Sequence, residues 1–221
     1  MTRNTMLTED YLIRLINQAL AALAAVVGLR TAGQYLEARA LLDQMLEQLF
    51  GLRSDLIKRL DDPSLLDALT NQEVLDTDRV CIAADLFKEQ GNLFAAQNNA
   101  AESYLSYLRA FNFYLEVALA GGPRHFPPPD EKIEALYNLL QGFDLPFEIL
   151  FSLYAYREQS GNYARAAGLL LRMAAVPGVS QEILEEQRDF YHRLLEKPDN
   201  ELLEGGLSRP EIQKRLAEIG S

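Results

Sequence analysis

One cysteine, two histidines and a deficit of positive charge set the first limits on this 221-residue chain. Cys81 alone excludes an intramolecular disulfide and any metal site built from several thiolates. Lysine plus arginine number 21 against 32 aspartate plus glutamate, a net charge of −11. A surface this acidic repels phosphate backbones and anionic lipid, so neither nucleic acid nor a membrane is an expected partner. The longest strictly apolar run, 19–27, is shorter than the roughly 20 residues needed to cross a bilayer. Glu9, Asp10 and Arg14 break any signal-peptide pattern, and the expected location is the cytoplasm. Phosphate-cradling Gly-x-x-x-x-Gly-Lys-Ser/Thr, dinucleotide-binding Gly-x-Gly-x-x-Gly and zinc-binding His-Glu-x-x-His are all missing. No cofactor, metal site or catalytic residue is therefore assigned.

What is present is a helical pattern. Hydrophobic residues make up 48% and charged residues 24%, an ordinary globular composition with no low-complexity segment. All nine prolines sit between apolar-periodic stretches and never inside one, as helices require. Thr8 with Tyr11 reads as an imperfect capping box. Leu12, Leu15, Ile16, Ala19, Leu20, Leu23, Val26 and Val27 then repeat with the i, i+3, i+4, i+7 spacing of one apolar helix face. Gly28 and Gly33 bracket a turn into a second helix from Tyr35 that ends near Gly51. A short helix over 53–60 and a turn capped by Ser64 follow, then a helix from Asp76 or Thr77 to Gln90 that Gly91 and Asn92 stop. Residues 93–120 form one long helix or two in sequence. Further helices are expected at 130–140, 146–160, 163–176, 180–197 and 210–219. No stretch alternates with period two, so the expected fold class is all-α without a sheet. One helical domain is expected over 1–204, with a hinge and a capping helix over 205–221.

Three segments line up internally: Gly33-Gln34-Tyr35-Leu36-Glu37-Ala38, Gly91-Asn92-Leu93-Phe94-Ala95-Ala96 and Gly161-Asn162-Tyr163-Ala164-Arg165-Ala166. In each, a glycine accepts the positive φ that ends a helix, a large side chain wedges between helices, and an alanine permits close approach. These segments resemble the tetratricopeptide repeat, whose hairpin turn carries Gly-x-Tyr-x-x-Ala. The chain as a whole looks like the bacterial tetratricopeptide-like proteins, a likeness that implies antiparallel hairpins stacked as an irregular right-handed superhelix and no activity. The glycines stand farther apart than the about 34-residue step of an uninterrupted array, so inserted helices separate the hairpins. The resemblance also implies a concave face lined by the first helix of each hairpin. Asp78, Asp85, Lys88, Glu148, Phe151 and Glu158 map to it as a candidate partner groove. Val27, Asp85 and Ala155 stand where the family's carboxylate clamp has asparagine, so capture of a C-terminal tail is not expected. The acidic groove suits a basic or amphipathic protein or peptide, or is filled by the chain's own inserted helices.

The remaining polar features favour structure over chemistry. Asp189 and His192 share a helix face, but the only other histidine is His125, so a di-iron pair cannot form. Cys81 lies between Val80 and Ile82 and reads as core. The loop from Gly121 to Pro129 carries Arg124, His125 and Phe126 on a stiff proline-rich strap that either links two helices or docks a partner. The expected function is a non-catalytic protein-interaction or scaffolding module. Self-association through the Ala-rich first helix remains open beside it. The rival is a small-molecule-binding or enzymatic helical domain using dispersed polar residues such as Asp85, Asn98, Asn99 and Tyr154.

Overall fold

The computed structural model describes residues 3–175 and 180–219, without the side chains of 3–8 and 180. Twelve helices run through the described residues, and their contacts divide the chain into units of residues 1–143 and 144–221. The division falls inside the segment expected as one domain, and the expected tail at 205–221 belongs to the second unit.

The first unit is built around α5 (Thr77–Ala96), whose Val80, Cys81, Ala83, Ala84, Leu86 and Phe87 are all buried. A helix apolar on so many sides needs cover from several directions. It gets that cover from α1 (Arg3–Thr31), α2 (Tyr35–Phe50) and α6 (Ala100–Leu119). Phe87 meets Phe113 of α6 edge-on at 5.5 Å, and burying a ring of that size stabilises by roughly 1.5–3 kcal/mol. Between α2 and α5 the chain makes the short helices α3 (Ser54–Ile57) and α4 (Asp62–Ala68), and α7 (Asp130–Leu140) packs on α6. Arg79 donates to the Leu49 carbonyl and so closes the end of α2, where Gly51 takes the expected left-handed conformation.

Several local expectations change. The first helix begins before Thr8, which is therefore no cap, and runs through Gly28 to Thr31. Asp61 rather than Ser64 caps α4, accepting the Ser64 N–H at 3.0 Å. A small hairpin, β1 (Thr70–Asn71) and β2 (Val74–Leu75), pairs antiparallel where no sheet was expected. Gln72 and Glu73 turn it with positive φ, and two-residue strands are too short to show alternation in sequence.

The largest correction concerns Gly91. It stops nothing: α5 continues to Ala96, and the break comes at Asn98, with φ 57°, followed by Asn99, which accepts the Glu102 N–H. The glycine is needed for close approach instead. A Cβ at position 91 would lie 2.5 Å from the Tyr107 ring of α6, and the Gly91 carbonyl accepts the Ser103 hydroxyl at 3.0 Å. Of the three aligned segments, only those at Gly33 and Gly161 are helix-ending turns, each with φ +75°.

The second unit pairs α8 (Phe147–Gln159) with α9 (Tyr163–Ala174); α10 (Ser180–Leu195) packs on α9 and α12 (Arg209–Ile219) on α10. Tyr163 and Ala166 are buried as a wedge and its seat should be. The short α11 (Asp199–Glu204) leads into Gly205, whose carbonyl accepts the Ala164 N–H at 2.9 Å. A side chain at Gly205 would strike the Tyr163 ring, so the expected hinge is a packed seam.

Gly91→Ala tests the α5–α6 contact. Alanine gains about 0.5–1 kcal/mol in helix propensity, whereas overpacking against Tyr107 costs about 1–3 kcal/mol. Net destabilisation is expected in urea unfolding, and in a Tyr107→Ala background the same change becomes neutral or stabilising.

Candidate functional site

Of the six groove candidates, Asp78, Asp85 and Lys88 lie in the first unit, and Glu148, Phe151 and Glu158 in the second. Three of the four carboxylates are occupied by the chain itself. Asp78, 3% exposed in the first turn of α5, accepts the backbone N–H groups of Arg124 and His125 at 3.0 and 2.9 Å. Its other oxygen lies 2.8 Å from His125 Nδ1. The proline-rich loop is thus a strap tied across α5, with Phe126 half-buried and Pro129 buried.

Asp85 receives the Lys132 ammonium on both oxygens at 2.8 Å and the Tyr114 hydroxyl at 2.5 Å. Burial, together with that neighbouring carboxylate, pushes the Tyr114 hydroxyl far above the usual tyrosine range, so it stays a proton donor. In the second unit, Glu158 is held by Arg193 through two hydrogen bonds of 2.8 and 2.9 Å. Arg193 also reaches Glu186 and the Tyr154 hydroxyl, each at 2.8 Å. The Tyr154 hydroxyl lies 2.6 Å from Glu186 and 2.9 Å from Glu158. Burial and then Glu186 raise the Tyr154 hydroxyl, and the bonds to Glu158 raise Arg193, so both keep their protons. The four side chains form a clamp between α8 and α10.

A buried acid must find a partner or lose its charge, which is why these positions are neutralised rather than left to attract a basic ligand. Lys88 is half-buried, Glu148 exposed, and Phe151 is 39% exposed against Phe147 and Tyr154. Asn98 and Asn99, offered as dispersed site residues, make the α5–α6 turn. Asp189 and His192 are exposed. Among the described residues no group of three or more metal-ligating side chains forms.

The feature that sequence reading misplaced is α1. Leu15, Ala19, Ala22 and Val26 face the core, but Leu20 and Val27, assigned to the same stripe, are 50% and 42% exposed. The alanine run is divided likewise: Ala21, Ala24 and Ala25 are exposed. Ile13, Asn17, Leu20, Ala24 and Val27 form an outward seam spaced four and three residues apart, the spacing of a second helix-pairing face. That spacing was the available signal. The stretch Glu9–Thr31 is long and apolar enough, by length and composition, to cross a membrane: an 18-residue window within it has mean hydropathy 1.9, with 22% of that window buried.

Two outcomes check this site. Asp78→Ala strands two backbone N–H groups and should cost about 1–3 kcal/mol in urea unfolding; an unchanged midpoint would remove the strap's structural role. Burial raises the Cys81 thiol to about 12 from 9.0. Its contribution to stability is therefore whole below pH 9 and is lost as pH rises toward 12. Native protein at pH 8 should leave a thiol reagent unreacted until urea unfolds the chain.

No curated protein and no solved structure matches the chain. Residues 6–221 match the family described as "Family of unknown function (DUF6483)", and the chain belongs to that family.

Proposed function

We propose that the protein is a non-catalytic, tetratricopeptide-like interaction module that associates through the outward face of α1, and that the occupant of this face is α1 of a second copy. The helical-hairpin reading is supported by the turns at Gly33 and Gly161, each followed by an aromatic two residues on and a buried alanine three beyond that. The association reading is carried by the seam from Ile13 to Val27, exposed along a helix whose opposite side is core. Exposed apolar surface of this length marks an interaction site in most soluble folds.

Three properties favour a second copy. The four-three spacing suits a helix as partner, and Ala24 within the seam, with Ala21 and Gly28 beside it, allows close approach. Asn17 sits within the seam, where a polar residue sets register in paired helices. No charged residue lies between Arg14 and Arg30, so the net charge of −11 raises no like-charge contact at the face itself. One helix face is small against the about 1,200 Å² buried in stable complexes, so a weak, concentration-dependent dimer is expected.

Light scattering across a concentration series tests this. The mass should rise toward the dimer, and Leu20→Asp with Val27→Asp should hold it at the monomer without lowering the melting temperature. Asn17→Cys should crosslink copies under oxidation while Cys81 stays buried. A concentration-independent monomer, or apolar residues of α1 that are protected only by lipid vesicles, overturns the reading.

A further inference from the structure

α2 and α6 both pack on α5, and between them a cleft of about 250 Å³ opens over α5. It is smaller than the roughly 300–1,000 Å³ of pockets for drug-sized ligands, which limits an occupant to metabolite size. Phe87 and Phe94 give it apolar walls, and Leu105 stands exposed at its mouth.

Its polar groups are unevenly used. Arg109 is consumed by Asp62 at 2.7 Å and by the Ile57 and Leu60 carbonyls, while Lys58 is paired with Asp43 at 2.8 Å. The second oxygen of Asp62 accepts from Asn112. Arg39 differs: its guanidinium lies 5.7 Å over the Phe94 ring, and among the described residues no carboxylate or carbonyl is paired with it. Glu102, on the α6 side, likewise has a carboxylate without a cation among the described residues. On the floor, Gln90 is only 8% exposed. Its carboxamide lies 3.5 Å from the Ser106 hydroxyl, whose own proton goes to the Glu102 backbone carbonyl at 2.8 Å. The amide lines the cleft, where it can hydrogen-bond an occupant.

A guanidinium and a carboxylate without ion partners among the described residues, an amide and two phenyl walls are complementary to a molecule carrying a carboxylate, an ammonium and an apolar body. We propose that this cleft binds a free α-amino acid with an apolar side chain. Arg39 and the Gln90 amide hold the carboxylate, Glu102 receives the ammonium, and Phe87, Phe94 and Leu105 cover the side chain. The field of an acidic protein reinforces the choice, because it opposes a simple anion and leaves a zwitterion of zero net charge unaffected. The proposal is independent of the α1 surface, since none of these residues lies on α1.

Calorimetry on the full chain with L-leucine and L-phenylalanine tests it, alongside 4-methylpentanoate and 3-methylbutylamine, which are leucine without its amine and without its carboxylate. Saturable binding of at least one amino acid is expected at about millimolar concentration or below. Each of the two truncated probes should bind roughly tenfold more weakly than leucine, as loss of one charge-assisted hydrogen bond requires. Arg39→Ala and Glu102→Gln, both at exposed positions, should weaken the amino acid by a similar factor with the melting temperature unchanged. Absence of saturable binding up to about 10 mM overturns the proposal. So does binding that is indifferent to both substitutions, or a truncated probe that binds as well as leucine.

Discussion

The burial of α5 is the constraint on which the first unit depends. Its apolar residues point in several directions, so α1, α2 and α6 must each cover a side. The approach of α6 is close: Gly91 receives the Tyr107 ring, and Ser103 bonds to the Gly91 carbonyl. Because α5 and α6 meet backbone to ring at that level, the aromatics of α6 reach the core: Phe111, Phe113 and Tyr114 are all fully buried. The cleft is a by-product of the same arrangement, since two helices packed on a third leave a furrow between them.

Polar groups near this core are neutralised in pairs. Asp78 fixes the proline-rich strap, Asp85 joins Lys132 and Tyr114, and in the second unit Arg193 gathers Glu158, Glu186 and Tyr154. An acidic sequence suggests an acidic binding groove, yet carboxylates on a half-buried helix face are stable only with partners, and the chain supplies them. The surfaces left over are of another kind: an apolar helix face on α1, and a small cleft lined by the Gln90 amide in which Arg39 and Glu102 have no ion partner among the described residues.

Much of the fold is legible from periodicity and punctuation. The all-α class follows from the spacing of apolar residues and the positions of proline, and Gly33, Gly51 and Gly161 end helices where the sequence places them. Gly91 carries the same local pattern as Gly33 and Gly161 and does something else, because a glycine before an apolar residue suits both a left-handed turn and a close helix contact. Tyr107, sixteen residues later, decides between them. Leu20 and Val27 are misassigned for a related reason: on a helix apolar nearly all round, period alone does not say which side has a neighbour.

Most of the helices, many of their ends and the burial of Cys81 follow from residues within a turn or two of one another, and so does the absence of the familiar phosphate and zinc motifs. Which face of α1 stays in water, which carboxylates are already paired, and that Arg39, Gln90 and Glu102 share one cleft are settled by packing alone. Those outcomes rest on contacts between residues far apart in the chain, and such contacts exist only once α5 has drawn its neighbours around it.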